Sequence, residues 1–203
     1  MRIFSEFFSE IPYPVSHILE NFRDLGIELN LDWLAGVELL LEEDMTTNTV
    51  YVALTQSDLR ESCNASRSWE RFDKGRRPFP DGSFLFQISA YADVSIPSID
   101  RPNRSEGSAK RVLKMELTCG PVTLHAIELE PCTQLTDEPE PGLKVIISGS
   151  PLVLHGLILL TPANIRIVGG EVPRLVALHK SMKLERTNAR DPLMYPMPIS
   201  TLD

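Results

Sequence analysis

The chain has 203 residues, 42% hydrophobic and 24% charged, with a net charge of −8; this is ordinary globular material, long enough for one domain or two small ones with a sizeable core. No apolar run reaches the roughly 18 residues of a membrane helix, Glu6 and Glu10 break the N-terminal stretch and make it a poor signal peptide, and three cysteines without paired spacing fit neither a disulfide framework nor a zinc site. An intracellular, reducing compartment fits, and residues 62–114, with ten bases against six acids, are too modestly basic to make nucleic acid the obvious main partner.

In chain order, Val15, Ile18, Leu19, Phe22 and Leu25 fall at helical spacing, and Gly26 follows as a stop. Asn30 offers an N-cap to a second helix with the apolar stripe Leu31, Leu34, Val37, Leu40 and Leu41. Thr46 or Thr47 caps a third, running through Leu59 to Ser62. Residues 63–82 are polar, basic and punctuated by Gly and Pro, which reads as a linker pinned by Trp69, Phe72 and Phe79. From Ser83 the period becomes two: Phe84, Phe86, Ile88, Ala90, Ala92 and Val94 alternate, with Leu85 and Tyr91 on the other face. A loop with Pro, Gly, Ser and both charge signs follows. A second strand, Arg111–Thr118, turns Leu113, Met115 and Leu117 toward the core; a third, Val122–Glu130, sets Val122, Leu124, Ala126 and Glu128 on one face. The stretch Pro141–Val172 holds the apolar runs Leu143–Ile147, Leu157–Leu160 and Ile165–Val168, then Gly169-Gly170 and a helix over Glu171–Arg186. The double glycine lets the last strand turn sharply into that helix, with Glu171 in its first turn. These elements predict an α+β chain: an N-terminal three-helix module (1–62), a linker (63–82), a five-stranded OB-fold β-barrel with a C-terminal closing helix (83–186), and a Pro-rich flexible tail (187–203).

Chemistry is sparse. No Gly-rich phosphate loop, HExxH, CxxC or GxSxG occurs. His125 and His155 lie on predicted strands without a third ligand, Cys119 reads as a small buried hydrophobe at a strand end, and Glu138 and Glu140 read as solvated acids of a Pro-rich loop. No catalytic constellation, cofactor site or metal site is expected. Single-stranded nucleic acid is the default ligand of an OB barrel, and Arg101, Arg104, Lys110 and Arg111 would serve it. That ligand also calls for aromatic platforms, and Phe84 and Phe86 share the core face instead, which favours protein contacts.

The residues carry a family resemblance. The segment ILLTPANIRIVGGEV (158–172), ending in Val168, Gly169, Gly170, Glu171 and Val172, resembles the end of the first OB-fold in the RecQ-mediated genome instability protein 1 family and in the N-terminal domain of Tudor domain-containing protein 3. ALTQSDLRE, FLFQISAYADVSIP, RVLKMELTCGPVTLHAIE and PGLKVIISG follow the family in order, so the likeness spans roughly residues 30–185. The resemblance implies a non-catalytic scaffold that binds a type IA topoisomerase III through its barrel. It also implies DNA decatenation and double Holliday junction dissolution with a RecQ-family helicase, in the nucleus, with DNA met mainly through the topoisomerase and no membrane. In that family the loop between the first two strands projects toward the enzyme's DNA gate. By position the loop here is Ile96–Lys110, and its expected contact residues are Ile96, Pro97, Ile99, Arg101, Pro102, Arg104 and Lys110. Lys144, in a Pro-Gly-x-Lys pattern the family shares, is a further expected contact. The loop is short, closer to the Tudor branch, whose topoisomerase also acts on RNA and where a cytoplasmic location would fit. Neither a Tudor domain nor a second OB-fold, which recruits the family's small OB-fold partner, follows in the sequence, so the chain reads as a fragment or a compact homologue.

Overall fold

The computed structural model describes residues 13–40, 45–64, 75–95 and 111–188. Helix α1 (Tyr13–Asp24) buries Ile18, Leu19 and Phe22. After Gly26, strand β1 (Glu28–Leu29) leads to α2 (Leu31–Leu40). Its cap is Asn30, whose Oδ1 accepts the Asp32 N–H at 2.9 Å. Helix α3 (Thr47–Gln56) opens on a capping box between Thr46 and Thr49. The expected run to Ser62 does not form. The chain leaves the helix at Ser57, and Asp58 caps a separate short helix α4 (Leu59–Ser62) by accepting the Arg60 N–H. Aspartate favours that role because its carboxylate competes for backbone N–H groups in a helix interior. Strand β2 (Cys63–Asn64) then pairs with β1. The module therefore has four helices and a strand pair among the described residues, where three helices were expected.

The second sheet runs in the order β10-β7-β4-β5-β6-β9-β8-β3, from β3 (Arg76–Pro78), β4 (Ser83–Asp93), β5 (Leu113–Cys119), β6 (Val122–Glu128), β7 (Lys144–Ser148), β8 (Leu152–Leu154), β9 (Leu157–Leu160) and β10 (Ile165–Gly169). All its pairings are antiparallel except β6 with β9. The first four expected strands are β4, β5, β6 and β7. The separate apolar runs Leu157–Leu160 and Ile165–Val168 form two strands, so the count exceeds the expected five: β9 lies on β6, while β10 lies on β7. The bend between them is held by Asn164, whose Oδ1 accepts from the Thr161 hydroxyl at 2.7 Å. One bent segment thus reaches both flanks of the sheet. Strands β3 and β8 were not expected. Part of the predicted linker is built into the sheet: Arg76–Pro78 pairs with β8, and Phe79 is 1% exposed within the barrel core. Trp69 and Phe72 lie outside the described residues.

Strand β4 serves two cores. Phe84, Phe86 and Ile88 face the barrel interior with Leu113, Met115, Leu117, Val145 and Ile147. Leu85 points the other way, opposite Ile146 in the β4–β7 ladder, and both enter the core of the helical module. The alternation breaks at Ser89, where the pairing skips from Ile88↔Leu117 to Ala90↔Glu116. A bulge adds one residue and reverses the faces beyond it. Tyr91, expected on the outer face, therefore pairs with Met115 and packs against the barrel core.

Gly169 and Gly170 have φ of +98° and +88°. A Cβ at Gly170 would overlap the Thr55 carbonyl oxygen of α3, so this glycine lets the end of the barrel touch the helical module. The closing helix α5 starts at Pro173, not Glu171, and runs to Asn188. Proline has no N–H to leave unpaired at that first position, while Glu171 stays outside the helix.

Candidate partner-binding site

Ile96, Pro97, Ile99, Arg101, Pro102, Arg104 and Lys110, the expected contacts, lie outside the described residues. The structure instead defines the stem from which this loop departs. On the outgoing side, Asp93 ends β4. Its Oδ1 accepts from the Ser95 N–H at 3.0 Å, from the Ser95 hydroxyl at 2.6 Å and from the Val112 N–H on the returning side at 3.2 Å. The Val94 N–H also donates to Val112 O at 2.8 Å. The two roots are tied to each other before the loop begins.

Arg111, the first described residue after the loop, is buried. Its Nη1 donates to Asp137 Oδ1 at 2.8 Å, and its Nη2 to Glu128 Oε1 at 3.2 Å and to the Cys132 and Leu135 carbonyls at 2.9 Å each. Glu128 sits on an inward position of β6 and also accepts the N–H groups of Leu113 at 2.8 Å and Cys132 at 2.9 Å. Arg111 is thereby withdrawn from the phosphate-binding role considered for it. Beside it is an open hollow of about 330 Å³ lined by Arg111, Pro131, Thr133, Leu135 and Asp137. Tyr91, on the β4 side of the stem, lies against His179 of α5, ring centroids 5.3 Å apart. Burial, with the Glu138 charge nearby, pushes the Tyr91 hydroxyl up to about 12.

Lys144 is not a surface contact. It is 0% exposed, and its Nζ donates to Ser57 O at 2.6 Å and Gly142 O at 2.8 Å. It stands opposite Gln87 in the β4–β7 ladder, two rungs beyond Leu85 and Ile146 and on the same face, beneath the helical module. Gln87 in turn accepts the Leu59 N–H at 3.0 Å and donates to Asp58 at 2.9 Å, and Asp58 also receives Arg60 and Arg174. Burial pushes the Lys144 ammonium down to about 8, with the Asp58 charge opposing. For Asp58, burial works upward, but hydrogen bonds from Arg60 and Gln87 and the Arg60 charge bring the carboxyl down to about 2. This network fastens module to barrel, so Lys144 has no free ammonium to offer a partner.

The remaining chemistry is equally inward. Phe79 packs edge-on against Phe84 and Phe86, with centroids at 5.6 and 6.2 Å, so these barrel aromatics are core and not stacking platforms. Burial pushes the Cys63 and Cys119 thiols up to about 12 and Cys132 to about 11. No group of three or more metal-binding side chains occurs among the described residues, and no described helix is long and apolar enough to cross a membrane. Sequence reasoning missed Asp93, Asp58 and Gln87. Glu128 carried a signal: an acid on the core face of a strand needs a buried cation.

The family model described as "RMI1, N-terminal OB-fold domain" matches residues 53–183, from the middle of α3 into α5. The chain belongs to this OB-fold family. Among curated relatives, RecQ-mediated genome instability protein 1 of Xenopus laevis is 34% identical over 125 residues, covering 51% of this chain and 22% of that protein. The protein of the same name in Arabidopsis thaliana is 30% identical over 104 residues, covering 51% and 16%. Tudor domain-containing protein 3 of Xenopus tropicalis is 31% identical over 96 residues, covering 47% and 13%. The chain spans less than a quarter of the length of these relatives. Within the family match lie all the strands of the OB barrel from β4 onward, both loop roots and the Gly169-Gly170 turn.

Proposed function

We propose that the chain is a non-catalytic scaffold of a genome-stability complex. In this reading its OB barrel binds a type IA topoisomerase III, and the loop Ile96–Lys110 is the contacting element. Working with a RecQ-family helicase, the complex carries out decatenation and double Holliday junction dissolution in the nucleus. Membership of the OB-fold family carries the reading, together with relatives named RecQ-mediated genome instability protein 1. The geometry supports it in two ways. Among the described residues of the barrel, the inward aromatics and the buried Arg111 leave little for a nucleic-acid strand to stack on or pair with. The loop roots, by contrast, are fixed firmly enough to present a contact segment.

The test is binding of the purified chain to purified topoisomerase III, with and without residues 96–110. Tight binding that the deletion abolishes is the expected result. No binding by the intact chain, or salt-sensitive binding to an oligonucleotide instead, would replace this reading with that of an autonomous single-strand-binding OB protein.

A further inference from the structure

The ion pair at the loop root needs a physical reason. The side chains of Arg111 and Glu128 are 9% and 1% exposed. A pair this buried adds little stability relative to well-packed apolar side chains, because dehydrating both ions offsets their attraction. What it does supply is position. Through its two members it joins the start of β5 at Leu113, the end of β6, and the 131–137 connection at Cys132, Leu135 and Asp137. On the other root, Asp93 reaches across to the N–H of Val112, the residue next to Arg111.

We propose that Arg111 and Glu128, with Asp93, form a stem clamp: positioning residues that hold the end of β4 and the start of β5, the two roots of the loop, in a fixed relation where the barrel meets a protein partner. The inference rests on the reading of that loop as the partner contact. A segment launched from a fixed stem has less freedom to lose on binding than one launched from a loose stem, so the clamp acts on affinity through preorganisation.

The test uses the full chain with Arg111→Met and Glu128→Leu combined, so that no charge is left unpaired, and separately Asp93→Ala at the less buried root. Affinity for topoisomerase III is measured by calorimetry, beside the urea midpoint of each variant. The double variant removes the acceptor of the buried Leu113 and Cys132 N–H groups, so its midpoint is expected to fall; in the folded protein its Kd weakens about tenfold or more, and Asp93→Ala weakens Kd in the same direction. Arg111→Lys, which keeps the charge, is expected to recover part of the loss. If the double variant fails to fold, Asp93→Ala decides. Folded variants that bind like wild type overturn the clamp. The 96–110 deletion separates the two claims: if it abolishes binding while the clamp variants bind normally, only the clamp falls. If the deletion itself leaves binding unchanged, the loop reading falls and the clamp with it.

Discussion

Alanine placed at Gly169 and at Gly170 should have very different costs, although the two glycines are adjacent and share a positive φ. Both substitutions force an L-residue into a backbone region it rarely adopts, a strain of about 1 kcal/mol or somewhat more. At Gly169 the new methyl meets nothing within 4 Å. At Gly170 it overlaps Thr55 O and lies 3.0 Å from the Thr55 carbonyl carbon and Cβ. The obstacle there is the backbone of α3, which no rotamer change can move aside. Relief requires the helical module to shift off the barrel, and overpacking of that kind adds roughly 1–3 kcal/mol. Gly169→Ala should therefore lose about 1 kcal/mol and Gly170→Ala about 3 kcal/mol in urea unfolding followed by circular dichroism. Equal losses for the two would refute the claim that the second glycine seats the barrel against α3.

Three further outcomes follow from the buried polar groups. Asp58, held at about 2 against an ordinary 3.8, gives stability that is fully present above pH 4 and lost as pH falls through 2. The difference between wild type and Asp58→Asn should be about 2 kcal/mol at pH 7, shrinking to a few tenths of a kcal/mol at pH 2 and vanishing below it in acid unfolding curves. Lys144 has the opposite sign: its folded value of about 8 lies below 10.5, so its burial penalty is complete below pH 8 and fades as pH rises to 10.5. The raised thiols lower stability above pH 9, so the quantity to follow is wild type minus Lys144→Met, which should rise by about 3 kcal/mol across that window. Cys63, Cys119 and Cys132 are buried as neutral thiols, and mass spectrometry after brief iodoacetamide treatment should find them unlabelled in native protein and labelled in urea.

The sequence made the regular parts of this fold legible because each was written locally. The Asn30 and Thr46 caps and the inward row Leu113, Met115 and Leu117 are periodic or positional signals, and the structure reproduces them. What stayed hidden was tertiary. One extra residue at Ser89 reverses the faces of β4, and nothing in its alternating composition announces it. Strand β3 is short, lies at the end of the sheet and contains Arg76, Arg77 and Pro78, a composition that suits an edge and reads as linker. Lys144 reads as a solvent-facing lysine until the helical module is laid over the Gln87–Lys144 rung. The stem was half legible, since alternation set Glu128 on the same face as Leu124 and Ala126, but its partner Arg111 looked like one more base at the start of a strand.

Binding of the intact chain and of the chain lacking residues 96–110 to a type IA topoisomerase III, compared in one calorimetric titration series, tests the central claim most directly. The expected result is a stoichiometric complex with the intact chain and none with the deletion, at equal folded stability. Equal affinity for the two, or no complex with either, would contradict it.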